Sequence, residues 1–262
     1  MKLHAFIYVG ILSLGSGGAI ADPVMETWDR VETDWGNLRI RFHGDFKPTD
    51  QSEVPFVEAE QKAITDGLLY ARGAIRDFHK KHYLALGMDK AVVEQGASLA
   101  SDLVTHATYV NRSEVFKDGT VRVFLESSLP RALNRGDILF PPPPEVSTPP
   151  RFSGLILRLD KSVSPVAEFE IVDTAGSRLY GVEKLSKESF QNNLMGKWFY
   201  NPRREELLRS VGVKPVALEA KVVTPTQYSV NRGAWRDALE ESASVLTEGK
   251  LAIVLPLAPH GN

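Results

Sequence analysis

The 262-residue sequence predicts an α+β protein of two small domains, each a mostly antiparallel sheet packed with helices, joined by a proline-rich linker. Three observations carry this. Apolar residues recur at every second position in some stretches and at every third or fourth in others, without a regular βαβ alternation. Asp118-Gly119 separates two strand-like runs, a strong hairpin signal. The stretch from Phe140 to Pro150 holds six prolines, which favour an extended, semi-rigid spacer.

Met1-Lys2-Leu3-His4 is a short basic start, and Ala5 to Gly15 is apolar without an acid. Ser16-Gly17-Gly18 then leads to Ala19-Ile20-Ala21, a small-residue cleavage pattern. Residues 1–21 therefore read as a secretory signal peptide cleaved after Ala21, with a buried N-terminal helix as the alternative. The expected location is the periplasm. No later stretch approaches the roughly 18 apolar residues of a membrane span, so no transmembrane anchor is expected. Cysteine is absent, and 31 Lys and Arg stand against 33 Asp and Glu. With no basic block or basic-aromatic patch, nucleic acid is not an expected partner.

The predicted organisation is an N-terminal domain over 22–139, the linker over 140–150 and a C-terminal domain over 151–262. The linker would hold two domains roughly 30 Å apart; a packed surface loop is the alternative. In the first domain Leu38, Ile40 and Phe42 share one face of a strand while Arg39 and Arg41 look outward. From Phe56 the spacing becomes helical. Ala59, Ala63, Gly67 and Ala74 are small enough for the helix to lie close against a sheet. Asp89 caps a second helix that carries Val93, Ala97, Ala100 and Val104. Strands follow over 109–116 and 121–125. In the second domain strands are expected over 153–159, 167–173, 178–182, 216–223 and 250–257. Helices are expected from Asn201-Pro202 to Val211 and over 232–246.

Asp173-Thr174-Ala175-Gly176-Ser177 resembles the Asp-Thr-Gly-Ser loop of an aspartic protease. That chemistry needs two carboxylates on two such loops, and no second loop exists in the sequence. The segment also has the residues of a hairpin turn, and that is the expected structure. His79-Lys-Lys-His82 has metal-like spacing on a helix but no further ligand near it, so a solvated helix end is expected. There is no Gly-x-Ser-x-Gly elbow, phosphate loop or cysteine nucleophile. No catalytic, metal or cofactor residue is assigned, and no enzyme is expected.

Asp34-Trp35 before a strand, the alanine-rich helix with Ala59, Ala63, Ala71 and Ala74, and the strand pair around Asp118-Gly-Thr-Val-Arg-Val123 resemble the exported Lpp-type twenty-kilodalton lipoprotein family, the FlgP-like flagellar and outer-membrane proteins. Gly154-Leu-Ile156, Ser164-Pro-Val166, Asp173 to Gly176, Leu179-Tyr-Gly181 and Lys250 to Val254 are similar to the second half of its longer members. Those members begin with a lipidated cysteine, which this chain lacks. The resemblance implies a non-catalytic periplasmic assembly protein that self-associates and contacts flagellar or outer-membrane proteins. A soluble binding module for a peptide, glycan or small ligand is the alternative. Trp198, Phe199, Tyr200, Trp28 and Trp35 are the candidate partner-contact residues, with core packing as the competing role.

Overall fold

The structure, a computed structural model, describes residues 22–49, 54–136, 140, 150–200, 202–239 and 243–256. The signal-peptide segment and prolines 141–144 and 149 of the linker lie outside the described residues. The chain is α+β, with seven α-helices and two sheets among the described residues. It divides into two compact units. The first takes residues 25–34 and 38–136; the second takes 22–24, 35–37 and the described residues from 140 on. The predicted 22–139 block is thus not wholly one unit.

In chain order, β1 (Asp22–Pro23) belongs to the second unit, and β2 (Met25–Trp28), β3 (Val31–Asp34) and β4 (Arg39–Phe46) belong to the first. Two long helices follow, α1 (Phe56–Ala85) and α2 (Lys90–His106). Then come the hairpin of β5 (Tyr109–Val115) and β6 (Val121–Ser128) and the single turn α3 (Leu129–Ala132). The five strands form an antiparallel sheet in the order β2-β3-β4-β6-β5. The Asp-Gly hairpin is present as expected: Gly119 takes φ +81°, and Asp118 Oδ1 accepts from the Thr120 amide.

The two helices start and stop where their sequence dictates. Gly87, at φ +76°, ends α1 as Met88 N–H donates back to the Tyr83 carbonyl. Asp89 caps α2 by accepting from the amides of Ala91 and Val92. The inward face of α1 is a stripe at every fourth residue: Ala59, Ala63, Gly67, Ala71, Ile75, His79 and Tyr83. Its small members bring the helix backbone against β4. A Cβ added at Gly44 would lie 2.0 Å from the Ala63 carbonyl oxygen and 2.3 Å from the Gly67 nitrogen. Ile40 and Phe42 of β4 and Val123 and Leu125 of β6 complete this core.

The second unit holds β7 (Leu155–Leu159), β8 (Glu170–Asp173), β9 (Arg178–Tyr180), α4 (Lys187–Asn193), β10 (Lys197–Tyr200) and α5 (Arg204–Val211). It continues with β11 (Val216–Thr224), β12 (Gln227–Val230), α6 (Arg232–Leu239), α7 (Ala243–Thr247) and β13 (Leu251–Leu255). The predicted helix over 232–246 is described as α6 and α7, and residues 240–242 between them lie outside the described residues. The strand order is β1-β10-β13-β7-β11-β12-β8-β9. Here the expectation of a mostly antiparallel sheet is corrected, because four of the seven pairings are parallel. The reason is burial on both faces. Ile156, Phe199 and Ala252 pack with Val211 of α5 on one side. Their strand neighbours Leu157, Trp198 and Ile253 point to the other, since side chains alternate along a strand. Covering both faces takes crossover helices, and those return the chain in the same direction.

Gly67→Ala should destabilise the protein by about 1–3 kcal/mol, because the new methyl group meets Leu125 and the β4 backbone. Gly73→Ala, on the same helix with nothing within 4 Å, should stabilise it by roughly 0.5–1 kcal/mol, and paired urea melts compare the two. In the second unit Trp198 is fully buried against Phe169 and Tyr228, with ring centroids 6.1 and 6.2 Å away. Trp198→Ala should cost about 3–5 kcal/mol in the same measurement.

Candidate functional site

Asp173 lies at the end of β8 in a hairpin with β9. One carboxylate oxygen accepts from the amides of Ala175 and Ser177 at 2.9 and 2.8 Å; the other faces Arg232 at 3.4 Å. Gly176 takes φ +83°. The carboxylate is committed to closing its own turn, as the turn chemistry predicts.

The histidines differ from expectation. His79 is fully buried rather than solvated, and its Nδ1 lies 3.1 Å from the Ala132 carbonyl. α2 and α3 cover this end of α1, and Gly96 makes the room: a Cβ there would sit 2.7 Å from His79 Nε2. His82 is half-buried between the Phe78 and Tyr83 rings. Burial, with His79 beside it, holds its pKa well below the ordinary histidine range.

Most of the candidate contact aromatics are core residues. Trp35 and Trp198 are fully buried and Phe199 nearly so, which is the competing role, core packing. Trp35 is held in the second unit through its backbone, accepting from the Trp198 amide and donating to Val24. Tyr200 is half-buried at the end of β10, opposite Asp22. Trp28, in the first unit, is half-buried and stacks on Phe78 at 5.0 Å. Residues 197–200 of the apolar run at 195–200 form β10, which lies between β1 and β13 in the sheet, and Trp198 and Phe199 are buried there.

The most organised polar group was not singled out in the sequence. Antiparallel register places Glu32, Arg41, Glu126 and Tyr109 in one row across four strands of the first sheet, on the face away from α1. The Glu126 carboxylate is buried and accepts from Arg39, from Arg41 Nε at 2.8 Å, from the Tyr109 hydroxyl and from Asn111 Nδ2 at 3.2 Å. Arg41 also reaches Glu32 at 2.8 Å. Further along the same face, Arg122 makes two bonds to Asp45 at 2.7 and 2.8 Å. Arg112 lies over the Phe124 ring at 4.2 Å. Burial by itself would raise the Glu126 carboxyl, but the bonds from Tyr109, Arg41 and Arg39 outweigh it and lower the pKa. Both carboxylate oxygens of Glu126 are taken up by donors from neighbouring strands, which suits the array to orienting those strands.

This row ends at β5, an edge strand. Four large apolar side chains there are exposed within eight residues: Tyr109 at 51%, Val110 at 42%, Val115 at 62% and Phe116 at 41%. An edge strand presents unpaired backbone donors and acceptors along one side. A strand over 109–116 was expected from the sequence, but whether it would be central or at an edge was not legible there.

A second feature lies within the second unit. A cleft of about 660 Å³ runs between β9, α6 and α7. Leu179, Trp235, Leu239 and Leu246 line it together with Lys184, Arg232 and Arg236. Among the described residues no three His, Asp or Glu side chains gather as a metal site, and no helix is long and apolar enough to cross a membrane. Comparison of the sequence with protein-family models and with curated proteins finds no match.

The Glu126 array gives a pH prediction. Its folded pKa lies below its unfolded value, so its stabilisation is full above about pH 4.3 and is lost as pH falls through the folded pKa. Glu126→Gln should therefore be less stable than the parent at pH 7, and the difference should shrink as pH falls below about 4.3 and through the folded pKa. His82 adds loss in a higher window: it stays neutral in the fold while the unfolded chain takes up a proton below about pH 6.5. Denaturation midpoints across pH 7 to 2 read both effects.

Proposed function

We propose that this chain is a non-catalytic assembly component of the periplasm, related to the FlgP-like proteins and working beside the flagellar motor or the outer membrane. The observation that supports this reading is the β5 edge. It is seven residues long, carries exposed apolar side chains at both ends, and is tied to its neighbours by the row from Glu32 to Tyr109. A strand edge of this kind adds a strand from another chain, with main-chain hydrogen bonds giving affinity and alternate side chains giving selectivity. The export signal read at residues 1–21 supports the compartment, and the order of short structural motifs supports the family.

A binding module for an anionic small ligand or peptide is the second reading, supported by the cationic and aromatic lining of the cleft beside α6.

Sedimentation of the chain from Asp22 onward separates the two. The assembly reading expects concentration-dependent self-association, weakened at least tenfold by Val110→Lys with Val115→Lys while the melting temperature holds. A folded chain that stays monomeric at every concentration overturns it and leaves the binding module. Cross-linking in intact cells then identifies the neighbours, and recovery of flagellar or outer-membrane components is the expected result.

A further inference from the structure

We infer that the partner of the β5 edge is a second copy of the same edge, paired antiparallel about a two-fold axis through Ser113. This rests on the assembly reading above and adds the occupant and the register. The argument is charge complementarity along β5. Arg112 and Glu114 flank Ser113 and lie 3.2 Å apart, at 62% and 43% side-chain exposure. Both sit on the face of the sheet that carries Phe124 and Arg122, since Arg112 pairs with Phe124 and Glu114 with Arg122 across β6. Two antiparallel copies centred on Ser113 place Arg112 of each opposite Glu114 of the other. The in-strand ion pair of each copy then becomes one side of a square of alternating charges.

Charges on an edge ordinarily repel a second strand, and a run of lysines would do so here. An Arg and a Glu related by the two-fold do the reverse. They reject a parallel copy or a slipped register, where like charges meet, and accept this one. The irregularity of β5 between Val110 and Arg112 sets the limit of the pairing. A bulge leaves residue 111 out of the ladder, so the regular match runs from Arg112 to Glu114 with Ser113 at its centre, and does not extend into an open-ended stack of strands. The opposite side of the strand fits as well. The Ser113 side chain is small, half-buried and hydrogen-bonded to Glu60 of α1 at 2.5 Å, so nothing bulky stands on the axis. A two-fold contact of this kind uses the same patch on both copies and closes on itself.

The absence of cysteine makes the test direct. Ser113→Cys places a thiol opposite its own copy, within the Cα separation that both antiparallel pair types and disulfides share. The chain from Asp22 onward with this change should form a disulfide-linked dimer on mild oxidation. Val115→Cys, whose partner in this register is residue 111, should not. In parallel, Arg112→Glu and Glu114→Arg should each weaken self-association at least tenfold, and the double exchange should restore it. Self-association of the parent that is indifferent to both charge changes, or equal cross-linking at 113 and 115, overturns the register and leaves the assembly reading standing. A parent chain that never associates overturns both. Should Arg112→Glu lower stability by leaving the Phe124 ring, the cysteine pair decides alone, because it leaves every charge in place.

Discussion

The first unit depends on one close approach, the backbone of α1 lying against the backbone of β4 at Gly44, Ala63 and Gly67. No side chain fits between them. A helix that sits this near a sheet gains dense contact along its whole stripe, but only if every fourth residue is small where the strands pass beneath. Farther along, where the sheet recedes, the stripe widens to Ile75, His79 and Tyr83, and α2 and α3 close over it. The buried imidazole is part of the same packing. Its place is shaped by Gly96 on one side and the Ala132 carbonyl on the other.

Because α1 occupies one face of that sheet, its other face keeps charged residues, and these are ordered by register. Glu32, Arg41, Glu126 and Tyr109 become neighbours only when four strands align, and the buried carboxylate at Glu126 is tolerated because three or more donors converge on it. The same alignment joins β5 to the sheet as an exposed edge. Core packing on one side and an ion ladder on the other thus both serve to present that strand.

The second unit solves burial differently. Its sheet is covered on both faces, so Trp198 and Phe199, adjacent in sequence, enter different cores. This accounts for a cluster of aromatics that looks like a contact patch in one dimension and is interior in three. Trp35 joins it from the far end of the chain through backbone bonds to Val24 and Trp198, and Gly36 follows with no room for a side chain against Pro23.

By itself the sequence determined the α+β class, the small-residue stripe of α1, the Asp89 cap, the Asp118-Gly119 hairpin and the turn at Asp173. Each of these is a local matter of periodicity, φ preference or a side chain reaching its own backbone a few residues on. A partial signal for the parallel strands was also present: Leu155-Ile-Leu157 and Leu251 to Leu255 are nearly unbroken apolar runs, the mark of strands buried on both faces. Strands β2, β3, β10 and β12 escaped because their residues show no alternation strong enough to outweigh neighbouring turns. Only the tertiary structure decided which strands lie at edges, which aromatics are interior, where His79 sits and which charges surround Glu126. Those outcomes depend on pairings between residues far apart in the chain, such as Arg39 with Glu126 and Trp35 with Trp198, and the order of residues along the chain does not carry the distances between strands.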